Sequence, residues 1–113
     1  MSLTADQRAQ ARQIATELAE IARTGQLLPG SITERHTRCG KPGCACQADP
    51  PRRHGPYWHW TRKVKNKTVG GYISKDQATE YQRWIDNDRR VHELISRLEA
   101  IGIQSIEAEQ QRP

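Results

Sequence analysis

Phenylalanine is absent from this chain, methionine occurs once, and only six of its 113 residues are aromatic. Hydrophobic residues make up 35% of the sequence and its mean hydropathy is −0.90. So little apolar material builds only a thin core, and small domains of this kind are commonly stabilised by a metal, by disulfides or by a partner chain. Nowhere do eighteen apolar residues follow one another, which leaves nothing to span a bilayer as a helix. The N-terminal "MSLTADQRAQARQ" lacks a basic stretch followed by an apolar one, so it does not read as a secretory signal, and a cytoplasmic location is expected. Cysteine is scarce too. Three cysteines cannot all pair within one chain, and a tight odd cluster in a cytosolic protein argues for metal rather than a disulfide framework.

Acidic residues are missing from the middle of the chain. Between Ser31 and Lys75 there are ten Lys and Arg against two acids, Glu34 and Asp49, a local charge of +8 within a total of +5. The flanks are therefore mildly acidic. A concentrated positive block favours phosphate-rich partners; the plainer interpretation is a solvated basic surface.

The scarce residues gather inside that block. "HTRCGKPGCACQADPPRRHGPYWHW", His36–Trp60, holds all three cysteines, three of four histidines and two of three tryptophans. Cys39, Cys44 and Cys46 have the spacing C-x4-C-x-C, and His54 follows eight residues later. Three cysteines and one histidine form a common tetrahedral zinc set. Gly40 and Gly43 are expected to let the backbone fold sharply around the ion, and "QADPPRR" to make a rigid return to His54. Cys44 and Cys46 are too close for an unstrained disulfide. His36 and His59 are alternative fourth ligands, ranked second and third after His54. The same residues also suit an iron–sulfur cluster. Zinc with four protein ligands is closed, and no P-loop, nucleotide fingerprint, nucleophile elbow or H-E-x-x-H accompanies it, so the chain reads as a non-enzyme.

An α+β fold is expected around this loop. Thr4 and Gln7 form a capping box opening an N-terminal helix whose stripe is Ala11, Ile14, Ala15, Leu18, Ile21 and Ala22, closed by Gly25. A polar strand at Ser31–Arg38 precedes the metal loop. Tyr57–Val64 and Thr68–Ile73 then read as a hairpin turning at Asn66-Lys67, which pairs Trp60 with Ile73 and Val64 with Val69. That puts Trp58, Trp60, Val64, Val69 and Ile73 on a core face of a small three-stranded antiparallel sheet. Tyr57, His59, Thr61, Lys63, Lys65 and Tyr72 fall on the other. Ser74 and Gln77 open a long C-terminal helix with a stripe of Tyr81, Trp84, Ile85, Val91, Leu94, Ile95, Leu98 and Ile101. Gly102 is expected to end it, leaving "QSIEAEQQRP" as a frayed tail. The first half of the helix can cover the tryptophan face; the second half needs the N-terminal helix or a second copy of the chain. The chain thus divides into residues 1–30, 31–73 and 74–113 of a single domain.

"LPGSITERHTRCGKPGCACQ" followed by "HGPYWHWTRKVKNKTVGGYIS" resembles an uncharacterised family of short bacterial proteins. These share C-G-K-x-x-C-x-C, then H-G-P-Y-W, a T-R-K-type strand and a long C-terminal helix. The resemblance runs from about Leu28 to about Leu98, and Cys39, Gly40, Lys41, Cys44, Cys46, His54, Gly55, Pro56, Tyr57 and Trp58 match it position by position. It implies no established activity. Its members look like companions of mobile or plasmid-borne genes, which leans towards nucleic acid.

Two functions are consistent with these features. One is a small zinc-stabilised nucleic-acid-binding module. Arg35, Arg38, Lys41, Arg52, Arg53, Arg62, Lys63, Lys65 and Lys67 would contact phosphates of DNA or RNA, and Tyr57, His59 and Tyr72 would stack on bases. The other is a zinc-stabilised interaction module that forms a homodimer through its C-terminal helix.

Overall fold

A computed structural model describes residues 3–111. The elements run α1 (Ala5–Thr24), β1 (Ser31–Thr37), a short 3₁₀ turn (Ala45–Gln47), β2 (His54–Val64), β3 (Lys67–Ile73) and α2 (Lys75–Gln110). This is the expected α+β arrangement, with the three strands antiparallel in the order β1-β2-β3. The chain separates into two units, one of residues 1–28 and 86–113, the other of residues 29–85.

The first unit is a pair of helical segments. Thr4 caps α1 as its sequence requires: its hydroxyl accepts from the Gln7 N–H at 3.1 Å while the Gln7 side chain accepts from the Thr4 N–H at 2.9 Å. Its core is Ile14, Leu94 and Ile101, with Leu3, Leu18, Ile21 and Leu98 packed around them. The N-terminal helix therefore covers the second half of the α2 stripe. Ala15 and Ala22, expected to face inward, are exposed, as is Ile95. The half-buried position goes instead to Glu17, which forms a two-pronged ion pair with Arg90. That pair holds the Glu17 carboxyl below the usual carboxylate range, through the Arg90 hydrogen bond above all. α2 does not stop at Gly102. It continues to Gln110, because a single helical glycine costs only about 1 kcal/mol and the Glu, Ala and Gln that follow are strong helix formers. Most of the expected frayed tail is thus helical; Arg112 and Pro113 lie outside the described residues.

The second unit is the sheet with the first turns of α2 on one face. Ser74 and Gln77 form the second capping box, at 2.9 and 3.0 Å. Trp58 and Trp60 face the helix as expected. Trp60 meets Tyr81 edge-on at 5.9 Å, Tyr81 stacks on Trp84 at 5.3 Å, and Ala78 and Ile85 are buried beneath. The Trp60 indole N–H donates to the Pro29 carbonyl at 2.9 Å, tying the connection ahead of β1 to the sheet.

The hairpin register differs from expectation by two residues. Trp60 pairs with Gly71 and Val64 with Lys67. The turn lies at Lys65-Asn66, both with positive φ (50° and 67°), the geometry of a tight two-residue hairpin loop. Lys65 is therefore in the turn rather than on a sheet face. A slip of two residues keeps every side chain on its side, so the assignment of the tryptophan and tyrosine faces survives the error. Val64 and Val69, placed in the core by the sequence pattern, are exposed.

Candidate metal centre

The sheet itself assembles the centre. Thr37, the last residue of β1, lies opposite His54, the first of β2, so Cys39 emerges two residues from the histidine's partner. The register shifts between Arg35 and Thr37, at Gly55. Gly55 has φ +127°, and a Cβ there would lie 2.7 Å from the Arg35 carbonyl oxygen, so only glycine lets the two strands approach. β2 thus starts three residues earlier than its β-branched and aromatic pattern suggests, and those residues deliver the ligand.

Between the strands, the loop folds on backbone hydrogen bonds. Cys44 N–H donates to Lys41 O, Gln47 N–H to Cys44 O, and Arg52 N–H back to Ala45 O, which closes the return. Gln47 donates its side-chain amide to the Cys39 carbonyl. Gly40 and Gly43 take no positive φ and a Cβ on either would meet open space, so the bend rests on these bonds and not on glycine freedom.

The sulfur atoms of Cys39, Cys44 and Cys46 and a ring nitrogen of His54 lie within 4.8 Å of one another. Cys39 Sγ is 3.5 Å from Cys46 Sγ, and Cys44 Sγ is 3.3 Å from His54 Nε2. Tetrahedral zinc, with bonds of about 2.3 Å to sulfur and about 2.0 Å to nitrogen, would separate its ligand atoms by about 3.5–3.8 Å. The group is close enough to hold a metal ion and needs only small adjustments to ligate one. Cys46 is 0% exposed, and no other residue of the loop is buried. The loop's interior is therefore its thiols rather than apolar side chains. The Cys39 N–H donates to Cys46 Sγ at 3.2 Å, the kind of bond that stabilises a ligating thiolate. The Lys41 backbone N–H, the His54 ring and the Cys46 thiol hold Cys39 down to about 6. The Cys39 N–H favours the Cys46 thiolate, but burial and the two neighbouring thiols outweigh it and push the Cys46 thiol up.

The two alternative histidines are elsewhere. His36 is exposed and bonded to Glu34 at 3.3 Å. His59 packs edge-on against Tyr72, 5.0 Å between centroids, and its Nδ1 is buried without a hydrogen-bond partner. The basic and aromatic residues divide among several surfaces. Arg38, Lys41, Arg52 and Arg53 are exposed on the metal loop. Arg35, Tyr57, His59, Lys63 and Tyr72 occupy the sheet face away from α2 by their register, and Lys65 the turn. Arg62 and Lys67 belong to the tryptophan face, where the Arg62 guanidinium lies 4.5 Å over the Trp60 ring. That contact gives Arg62 a structural role that composition could not reveal. Between the tryptophan face and α2 lies a cleft of about 320 Å³, not foreseen from the sequence, lined by residues including Glu34, Trp58, Lys75 and Gln82. No helix of the described chain is long and apolar enough to cross a membrane.

Residues 5–83 match the family model described as Domain of unknown function (DUF6788), and the chain belongs to that family. The match takes in α1 as well as the metal loop and sheet. No curated protein and no solved structure matches the chain significantly.

Proposed function

We propose, for this member of a family with no assigned activity, a small non-catalytic module of the cytoplasm that binds zinc structurally and nucleic acid through its basic surface. The observation that carries this reading is the placement of a Cys₃His group at the centre of a segment with charge +8. Three thiolates and an imidazole suit zinc over hard cations, and four protein ligands fill its tetrahedron, leaving no open position for catalysis. The ion would hold a loop that has no apolar interior. That loop presents Arg38, Lys41, Arg52 and Arg53 to solvent, where they would neutralise phosphates.

The test is metal analysis of the purified chain together with nucleic-acid binding as a function of salt. A site making four phosphate contacts loses about 150-fold in affinity between 50 and 200 mM salt. A metal-containing protein whose binding falls in this way supports the reading; failure to bind DNA or RNA at low salt refutes it.

A second reading, a zinc-stabilised homodimer, is favoured by one observation. Ile95, Ile103 and Ile106 are exposed on one side of α2, at i, i+8 and i+11. Sedimentation of the full chain as a strict monomer at high concentration would count against it.

A further inference from the structure

We propose that the sheet face turned away from α2 is a platform for single-stranded nucleic acid, on which unpaired bases stack against Tyr72 and Tyr57. The proposal rests on the nucleic-acid reading above and narrows it to a substrate class and a surface.

The two sheet faces have been given different work. Trp58 and Trp60 are committed to α2. On the opposite face Tyr72 is 66% exposed and Tyr57 43%, so a chain with six aromatic residues places two where they shield no core. They are joined into one cluster: Tyr57 and Tyr72 meet at 6.0 Å between centroids and His59 and Tyr72 at 5.0 Å. Gly70 makes room for the cluster. A Cβ there would lie 2.6 Å from His59 Cε1 and 2.9 Å from Thr61 Cγ2, so the imidazole lies across bare backbone of β3. The ring surface is kept low and open instead of being walled by a β3 side chain.

Charge complements this geometry. The sheet's one acid, Glu34, belongs to the tryptophan face, so the platform carries no carboxylate. Arg35 stands opposite Tyr57. Further along, Ser31, Thr61, Lys63 and Thr68 of this face line a groove of about 350 Å³ that Pro29, Gly30 and Arg62 complete, with Lys63 Nζ donating to the Thr68 hydroxyl at 2.7 Å. Rings therefore pass into a row of hydroxyls and a cation, the groups that take sugar and phosphate. From Tyr57 to Lys63 the strand extends about 20 Å, room for a few nucleotides. Stacking requires bases that are out of a helix, and a broad sheet enters neither groove of a duplex deeply, so a single strand fits and a duplex does not.

The experiment measures affinity of the full-length, metal-loaded chain for a labelled oligo(dT) and oligo(U), for a duplex of equal length, and for competing inorganic polyphosphate. Wild type should prefer the single strands, and polyphosphate should compete poorly at equal charge. Tyr72→Ala should weaken single-strand binding about 5- to 150-fold while leaving duplex binding unchanged, and Tyr72→Phe should stay within about threefold of wild type. Tyr72 is exposed, so unchanged metal content and tryptophan signal certify the fold of each variant. The platform is overturned if Tyr72→Ala and Tyr57→Ala bind single strands like wild type while an Arg52→Ala, Arg53→Ala double variant loses affinity; that result spares the broader nucleic-acid reading. Absence of wild-type binding to every nucleic acid at low salt overturns both.

Discussion

Removing the metal should unfold the second unit rather than merely loosen a loop. Its only buried residues are Cys46, Ala78 and Ile85, and Cys46 is itself one of the four candidate ligands. With a metal bound, the centre would then supply a large share of what holds these 57 residues together, beside the packing of Trp60, Tyr81 and Trp84. A metal at a free concentration a thousand times its dissociation constant stabilises the folded state by about 4 kcal/mol. For a unit this small, each kcal/mol moves the midpoint by about 4–8 °C, so stripping the ion should lower Tm by about 16–32 °C. All three tryptophans, Trp58, Trp60 and Trp84, lie in this unit, so near-ultraviolet circular dichroism and tryptophan fluorescence report on it selectively. The assay follows those signals on heating, with and without a strong chelator, and again after zinc is restored. Cys46→Ser should resemble the chelated protein even with zinc present. If chelated wild type keeps its tryptophan signal and its midpoint within a few degrees, the centre is not what orders the sheet, and the reasoning from its thiol-filled interior fails.

The histidines separate cleanly. His54→Ala should abolish stoichiometric metal binding, whereas His36→Ala and His59→Ala should retain it, as read from metal per chain and from the visible spectrum of the cobalt-substituted protein. Gly55→Ala should destabilise the sheet by about 1–3 kcal/mol, measured by denaturant titration, because alanine resists φ +127° and its Cβ would press on the Arg35 carbonyl. In the helical unit, the Arg90 guanidinium depresses the Glu17 pKa on folding. The stabilisation is therefore fully present above the ordinary carboxyl value of 4.5 and is lost as pH falls through the lower folded value. Glu17→Gln should be less stable than wild type at neutral pH, and the gap should close in acid; a gap that does not change with pH would show that the pair contributes nothing.

Local chemistry was legible in the sequence, and partners across space were not. Both capping boxes, at Thr4 and Ser74, follow from side chains three residues apart and need no tertiary information. The face assignment of Trp58, Trp60, Tyr57 and Tyr72 follows from the two-residue period of a strand. The register did not, because Lys65-Asn66 lacks the glycine that usually marks a tight hairpin, and either neighbouring pair would serve on composition. The candidate ligand set, His54 ranked ahead of His36 and His59, was legible as residue types at metal spacing, but the pairing of Thr37 with His54 that brings the histidine to the cysteines was not. The carboxylate facing Arg90 joins residues distant in sequence, and neither periodicity nor charge counting could find it, whereas Arg62 lies two residues from Trp60 on one strand, where the strand period puts both on the same face. Gly102 misled for the opposite reason: helix ends are decided by the summed preference of many residues, and a single weak position inside a favourable run does not break it.

The paired glycines of β3 have a consequence for how the molecule behaves in a crowd. With the order β1-β2-β3, the third strand is an edge whose outward backbone groups meet no further strand of the sheet, a template on which another chain could add. Gly70 is required by the ring that lies across it, but Gly71 looks onto open space and no neighbour forbids a larger side chain. Two adjacent glycines nevertheless make a poor strand to extend, since they bring no side chains to pack against an incoming partner and lose more conformational freedom than any other residue on pairing. Of the two edges of this small sheet, the one formed by β3 is thereby made a weak template for further pairing by its own composition.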